Sequence, residues 1–397
     1  MKKTETDPAR PPLRPATRLV TGGREAVAHG FVNPAVHHVS TVLYPSAEDF
    51  LARRARYLYG RRGTPTSEAL ETALRELEGA ECAGVALLPS GLAAISTALL
   101  SVLKAGDHLL VTDSVYEPTR KFCDGVLKRY GVTTTYYDPL ISAGIAALIE
   151  PNTRAVFVEA PGSLTFEIQD VPAIAAAAHA RGAVVLMDNT WASSLFFRAL
   201  EKGVDLSIQA ATKYIGGHSD VMLGTVSANA STWQDLKDTM HLLGLCVGPD
   251  DIYLALRGLR TLAVRLAQHQ EAGLKIARWL EQRPEVACVL HPALAGCPGH
   301  SIWRRDFSGA SGLFSVVLKP VAEPAVHAFL NELRLFGIGA SWGGFESLAI
   351  PFDCARIRTA NPWIPGGPTL RFHIGLEDVH DLLGDLERGF AALAAAQ

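Results

Sequence analysis

Two apolar runs that end in reactive side chains constrain this chain more than anything else in it. Val184-Val-Leu-Met-Asp188 is followed by Asn-Thr-Trp191, and Leu206-Ser-Ile-Gln-Ala-Ala-Thr212 runs into Lys213-Tyr214. Short apolar runs of this kind read as strands buried on both faces, which calls for a parallel sheet covered by helices. Open sheets of that type bind their ligands outside the carboxyl ends of their strands. Both runs therefore deliver their polar residue, a carboxylate and a primary amine, toward one pocket. A lysine that condenses with an aldehyde and an acid that pairs with a ring nitrogen are the two groups a pyridoxal 5'-phosphate (PLP) enzyme needs. A salt bridge across two loop mouths would use the same pair. Segments far from this stretch tip the balance.

Ahead of it, strand-like and helix-like stretches alternate. Ala83 to Leu88 reads as a buried strand that turns through Pro89-Ser90-Gly91-Leu92 into a helix reaching about Lys104. Ser90 is a good N-cap and Gly91 admits close backbone approach, so the free N–H groups there suit a phosphate. The same turn is also an ordinary strand-to-helix connection. His108 to Thr112, a helix over Pro118 to Arg129, Thr133 to Tyr137, a helix over Ile141 to Ile149, Ala155 to Ala160 and a helix over Val171 to Ala180 continue the alternation. Tyr116 falls at the mouth of the second strand, where a ring can lie on a flat cofactor or merely form a rim. Upstream, Tyr57-Leu-Tyr59-Gly-Arg61-Arg62-Gly63 combines cations and glycines before a helix over Ser67 to Leu77, and reads either as an anion-binding segment or as a solvated basic loop.

Beyond Arg257-Gly258 the pattern changes. A long helical period over Asp250 to Leu280 leads to strands at Val286 to Leu290 and Leu313 to Leu318 and a helix over Ala325 to Leu335. Then come Ser341-Trp342-Gly343-Gly344, the strand Thr369 to Ile374 and a final Ala/Leu-rich helix. This is the signature of a smaller α+β domain. Arg371 interrupts an apolar strand and needs an anionic partner, either a substrate carboxylate or a structural acid.

Composition excludes several classes. The 397 residues, 48% of them hydrophobic, suffice for more than one domain. A net charge of −3 gives no field that would draw nucleic acid or an anionic membrane. The six cysteines never form Cys-x-x-Cys, which argues against a zinc site or disulfide framework, and no metal is expected. No apolar run has membrane-spanning length and the basic N-terminus has no apolar core, so the chain reads as cytoplasmic, with a small-molecule partner.

These segments together resemble the Cys/Met-metabolism family of fold-type I PLP enzymes, from about Thr17 to the last helix. The resemblance rests on Tyr59-Gly-Arg61-Arg62-Gly-Thr, Ser90-Gly91, Val115-Tyr116-Glu117-Pro118, Asp188-Asn-Thr-Trp191, Ala210-Ala-Thr212-Lys213-Tyr214, His218-Ser-Asp, Ser341-Trp342-Gly-Gly and Arg371-Phe-His-Ile-Gly-Leu-Glu-Asp. It implies an α/β fold with a large, mostly parallel seven-stranded sheet. Its domains would be an N-terminal arm over 1–63, with about the first 16 residues flexible, a PLP-binding domain over 64–258 and a small C-terminal domain over 259–397.

By the same resemblance, Lys213 carries the cofactor as a Schiff base, Asp188 protonates the ring nitrogen and Tyr116 stacks on the ring. Ser90, Gly91, Leu92 and Thr212 form the phosphate cradle, which Tyr59 and Arg61 complete from a neighbouring subunit. Ser341 orients Lys213, Arg371 takes the α-carboxylate, and Trp342, with Tyr59 and Tyr116, contacts the rest of an amino-acid substrate. The assembly implied is a homotetramer built from two catalytic dimers.

Within the family, the closest likeness is to members that β-eliminate L-cystathionine to homocysteine, pyruvate and ammonia in methionine biosynthesis. Ala340, where γ-lyases tend to carry an acid, and Trp342, where Leu is usual, favour β- over γ-chemistry. Ala210 replaces a serine common in the family and removes a hydroxyl from the phosphate shell. A broader β-lyase for cystine or cysteine conjugates, a γ-lyase or γ-synthase, and an inactive binding protein on the same scaffold are the alternatives.

Overall fold

The computed structural model describes residues 13–24 and 30–397. Residues 1–12 and 25–29, which include most of the segment expected to be flexible and part of the arm, lie outside that description. The strands are β1 (Gly84–Leu88), β2 (His108–Thr112), β3 (Thr133–Tyr137), β4 (Thr153–Glu159), β5 (Val184–Asp188), β6 (Leu206–Ala210), β7 (Gly224–Ala228), β8 (Val286–Leu290), β9 (Leu313–Leu318), β10 (Leu348–Phe352) and β11 (Thr369–His373).

The first seven strands form one sheet in the order β1-β7-β6-β5-β4-β2-β3. From β3 to β6 the pairings are parallel, and β7 and β1 join antiparallel. Alternate residues explain why it sits between two layers. Leu109, Val111, Phe157, Leu186 and Ile208 pack into one buried cluster, and Leu110, Val156, Val158, Val185 and Met187 pack into another on the opposite face. Sequences apolar at both parities can satisfy themselves only in this way, which is the mostly parallel seven-stranded fold expected.

The register brings the chemistry together. Glu159 on β4 pairs with Asp188 on β5, and Asp188 with Ile208 on β6, so the carboxyl ends of three strands finish side by side. The four-stranded sheet β10-β11-β9-β8 is antiparallel throughout. Leu370 and Phe372 of β11 enter its core, and Thr369, Arg371 and His373 alternate to the other face.

A buried ion cluster joins the two parts. Asp113, just past β2, takes Arg120 at 2.6 Å and Arg358 at 3.2 Å, and accepts backbone N–H groups from Thr359, Ala360 and Asn361 at 2.9–3.0 Å. Arg358 also reaches Glu167 at 3.0 Å.

Several local expectations need correction. The helix expected over 141–149 is a 3-10 stretch, Ser142–Leu148, which begins at a residue with φ +49. The helical period over 250–280 is two helices, Pro249–Arg260 and Leu262–Glu281, broken at Thr261. The helix expected over 118–129 is present, but it is interrupted by a π turn, Cys123–Leu127, between α-helical Glu117–Phe122 and Lys128-Arg129. Within the arm, Pro15–Thr21 is helical, Leu19 is buried, and Arg260 donates to the Leu19 and Gly22 carbonyls at 2.8 and 2.6 Å. Strands β7 and β10 escaped the sequence reading because one is rich in small polar residues and the other contains Pro351.

No helix among the described residues is long and apolar enough to cross a membrane.

Candidate active site

The ends of β5 and β6 are tied together before any ligand is involved. Asp188 Oδ1 accepts the Thr190 N–H at 3.0 Å and the Thr190 hydroxyl at 2.6 Å, and the Thr190 Oγ1 in turn accepts the Ala210 N–H at 2.9 Å. Thr190 thus fixes the carboxylate and leaves Oδ2 toward the cavity. Sequence reasoning passed over this residue, although Asp-x-Thr is a recognisable side-chain-to-backbone turn.

Three turns of chain close around the pair. The helix Gly91–Val102 starts beside the end of β6, with the Ser90 hydroxyl accepting the Ala93 N–H at 3.1 Å. A Cβ on Gly91 would lie 2.7 Å from the Ala210 Cβ, so glycine is what lets the helix start this close. The N–H groups of Gly91 and Leu92 are left without intrahelical acceptors at the cavity wall. From the small sheet come Arg371 and the loop Ser341–Gly344. Lys213 Nζ donates to the Ser341 hydroxyl and lies 5.3 Å from the centre of the Trp342 ring, and Arg371 Nη2 donates to the Ser341 carbonyl at 2.8 Å. Tyr116 is half-exposed at the rim, and its N–H donates to Glu159 Oε2 at 2.8 Å.

Ser90, Gly91, Leu92, Tyr116, Asp188, Thr212, Lys213, Ser341, Trp342 and Arg371 all line this one cavity of about 390 Å³. Glu159 also lines it and was missed in the sequence, where it looked like the ordinary end of an apolar strand. The Thr212 hydroxyl, expected to serve a phosphate, is engaged with the backbone of Leu223 at 3.2–3.3 Å. Tyr59 and Arg61 are not brought here. They line a separate cavity of about 550 Å³, where Arg61 donates to the His241 carbonyl at 2.7 Å.

Burial dominates the electrostatics. It lowers the Lys213 amine to about 8, helped by the charge of Arg371 and opposed by Asp188. It raises the Asp188 carboxyl against the opposing hydrogen bonds of Thr190 and the charge of Lys213. Glu159 is pushed well up by burial and by Asp188. The Tyr116 phenol is raised by burial and by both carboxylates, so it stays protonated. Lysines, acids and tyrosines shifted together in one cavity are a mark of catalytic chemistry.

Comparison with known proteins gives this arrangement a family. The model of the Cys/Met metabolism PLP-dependent enzymes matches residues 16–391. The chain belongs to this family. It is 46% identical over 389 residues to cystathionine beta-lyase of Escherichia coli strain K12, covering 95% of this chain and 98% of that one. It is equally 46% identical to cystathionine beta-lyase of Haemophilus influenzae, over 391 residues, 96% of this chain and 98% of the relative. Among solved structures, cystathionine gamma synthase from Xanthomonas oryzae pv. oryzae in complex with cystathionine superposes with a TM-score of 0.90 at 34% identity, covering 98% of this chain and 100% of the other.

The residues present fit the cofactor that the family is described by. Free N–H groups at a helix start suit a phosphate, the open Oδ2 of Asp188 suits a protonated ring nitrogen, and the amine of Lys213 opens on the same cavity.

Proposed function

We propose that this member of the family is a carbon–sulfur lyase that β-eliminates L-cystathionine to homocysteine, pyruvate and ammonia. The meeting of Lys213, Asp188, Tyr116 and Arg371 around one cavity carries this reading, together with relatives named cystathionine beta-lyase over nearly the whole chain.

Pyridoxal phosphate, when bound, draws the electrons of the Cα–H bond into its ring and so makes that proton removable near neutral pH. Asp188, through Oδ2, would keep a proton on the ring nitrogen. Gly91 and Leu92 would hold the phosphate by their N–H groups, beside Ser90 and Thr212. Arg371 fixes the α-carboxylate, which aligns the Cα–H bond.

Lys213, with its amine free, would be a base of lowered pKa placed to carry a proton from Cα to the departing sulfur. Ser341 keeps its Nζ in place. Tyr116, held as a phenol, supports the ring face. Homocysteine leaves as the thiol, and the three-carbon remainder takes up water to give pyruvate and ammonia.

The working unit in this reading is a homodimer, paired into a tetramer, in the cytoplasm. Tyr59 and Arg61 lie outside their own chain's Lys213 cavity, and the arm (1–63) exposes Phe31, Val32, Leu43, Phe50 and Leu51. Both features suit an arm that packs on a second copy and lends it two residues. Residues 64–258 then hold the cofactor, and 259–397 form the small domain.

Product analysis with L-cystathionine is the test. Pyruvate with homocysteine is expected; 2-oxobutyrate with cysteine would mean γ-elimination. The protein as isolated should show a visible absorption band that borohydride removes, and a protein without that band would not be the enzyme described.

A further inference from the structure

We propose that His373 is a positioning residue for Lys213: its ring pins the Ser341–Gly344 loop in the shape that sets the Ser341 hydroxyl and the Trp342 ring against the lysine amine. The proposal rests on the reading of Lys213 as the reacting amine.

The loop is one that has to be held. Ser341 has φ +77, where an L residue is disfavoured, and Gly343 has φ +89. A Cβ at Gly343 would sit 3.0 Å from the Lys213 main chain and Cβ, so the loop passes directly over the lysine. A non-glycine residue in the left-handed region costs about 1–3 kcal/mol and persists only where its surroundings impose it.

One face of β11 supplies the restraint. Arg371 and His373 are two residues apart and so point the same way. Arg371 Nη2 takes the Ser341 carbonyl at 2.8 Å. His373 Nε2 stands 3.1 Å from both the Gly343 N–H and the Gly344 carbonyl. Each end of the loop is thus tied to the strand that also carries the proposed carboxylate-binding arginine. Once Arg371 turns to a substrate carboxylate, the His373 contact is the tie that remains.

The ring is built in to make that contact. His373 is fully buried, 5.3 Å from the His269 ring and 5.9 Å from Tyr214, which itself packs 5.4 Å from Trp342. Burial, then His269, brings its pKa down to about 3, so the ring is neutral and Nε2 is free to accept the Gly343 N–H. Nδ1 is buried with no partner among the described residues. An apolar ring would avoid that penalty of unmet hydrogen bonding. What it would lose is the Nε2 contact.

The test compares His373→Phe, which keeps the ring stack, with His373→Gln, whose amide can still bond to the loop, each alone and combined with Ser341→Ala. The readouts are the pH titration of the visible band in resting holoenzyme without substrate, and kcat, KM and melting temperature. His373→Phe should displace the spectral midpoint and lower kcat roughly tenfold to a hundredfold with KM little changed, as expected for a misplaced reacting group. His373→Gln should recover most of that loss. With Ser341 already removed, the Phe substitution should cost about twofold or less, because both changes break the same chain of contacts.

Equal losses with and without Ser341, or an unmoved midpoint, would overturn the proposal. If His373→Phe does not fold, His373→Leu, which likewise removes the Nε2 contact, makes the same comparison in both backgrounds, and independence of Ser341 again overturns it. A parent holoenzyme with no visible band that borohydride removes would refute the Lys213 reading itself, whereas a band whose behaviour His373 variants leave unchanged refutes only the role of His373.

Discussion

Arg371 Nη2 donates to the Ser341 carbonyl at 2.8 Å, while its Nε is buried with no partner among the described residues. Burial lowers this guanidinium to about 10, yet it remains cationic at any working pH. A buried cation with an unmet donor has a strong reason to take an anion, and an α-carboxylate presents two oxygens to the guanidinium edge. Arg371→Leu should raise KM and lower kcat/KM for every amino-acid substrate, long or short. A charged hydrogen bond of about 1.5–3 kcal/mol corresponds to a loss of roughly tenfold to a hundredfold or more. Steady-state kinetics with cystathionine and with a short cysteine derivative check this, and an effect on one alone would remove Arg371 from the α-carboxylate.

Lys213 should titrate near 8 in protein stripped of cofactor, because burial and the Arg371 charge disfavour the ammonium form. Only the neutral amine attacks an aldehyde. Reloading with pyridoxal phosphate should therefore quicken as pH rises and level off above about 8. A surface lysine would go on rising toward 10.4. Lys213→Ala should abolish turnover while the fold and non-covalent cofactor binding persist. Near-normal pyruvate production by that variant would show that another lysine does the work.

The stability of the fold should depend on Asp113. Burial is the largest single influence on it and pushes its carboxyl upward, but the N–H groups of Asn361 and Thr359 and the Arg120 guanidinium outweigh that and leave it below its ordinary value. A carboxyl whose folded pKa is depressed adds stability that is fully present above the unfolded value and is lost as pH falls through the folded one. Asp113→Asn should leave the buried Arg120 without its carboxylate and Arg358 with Glu167 alone, and cost about 3–5 kcal/mol. Denaturant midpoints taken from pH 7 downward would test both points: the variant should start lower and lose less on acidification.

Much of this was legible in the sequence, for physical reasons. Strand ends are marked where an apolar run stops at a charged residue, so Asp188 and Lys213 could be placed at one sheet edge before any coordinates. Ser90 and Gly91 were legible because capping and close approach restrict residue type. Contacts across the fold were not. Thr190, Glu159 and His373 look like ordinary strand and turn residues, and their roles come from register: Glu159 faces Asp188 only because β4 and β5 pair in parallel at that position. The break at Thr261 was hidden for a similar reason, since the apolar period runs on across it: Leu256 and Leu259 before the break share one buried cluster with Leu262 and Leu266 after it. The hydroxyl of Thr212 turned to Leu223 because a backbone partner lay within reach, which composition does not reveal.

Subunit exchange can locate Tyr59 and Arg61. In its own chain Arg61 sits on the His241 carbonyl, in a cavity that shares no lining residue with that of Lys213. If the arm serves a neighbour, Arg61→Ala and Lys213→Ala chains, each nearly inactive, should regain activity when mixed, because some sites then combine two intact halves. At equal input, one site in about four would be intact in a freely exchanged dimer, provided that each site draws on both subunits. Labelled chains that demonstrably exchange yet stay inactive would place Arg61 in no neighbour's site.

Trp342 offers a test of substrate choice. Its ring lies 5.3 Å from Lys213 Nζ and 5.4 Å from the Tyr214 ring, partly buried at the side of the cavity bounded by the small sheet. In the proposed reading every amino-acid substrate brings its α-carboxylate to Arg371 and its Cα to Lys213, so those contacts do not separate long substrates from short ones. Cystathionine differs in carrying a second amino-acid group beyond the sulfur, and a broad aromatic face beside the path of that chain adds contact for it alone. Trp342→Ala should therefore reduce kcat/KM for cystathionine more than for a cysteine derivative with a small leaving group. The difference should be at least several-fold, since loss of even part of an aromatic contact is worth about 1 kcal/mol. The size of the loss with the short substrate measures how far Trp342 also steadies Lys213, through the ring contact and the Ser341 loop. If both substrates lose equally, Trp342 shapes the reacting centre alone, and the preference for cystathionine has to be sought at the Tyr59 and Arg61 segment of the neighbouring arm.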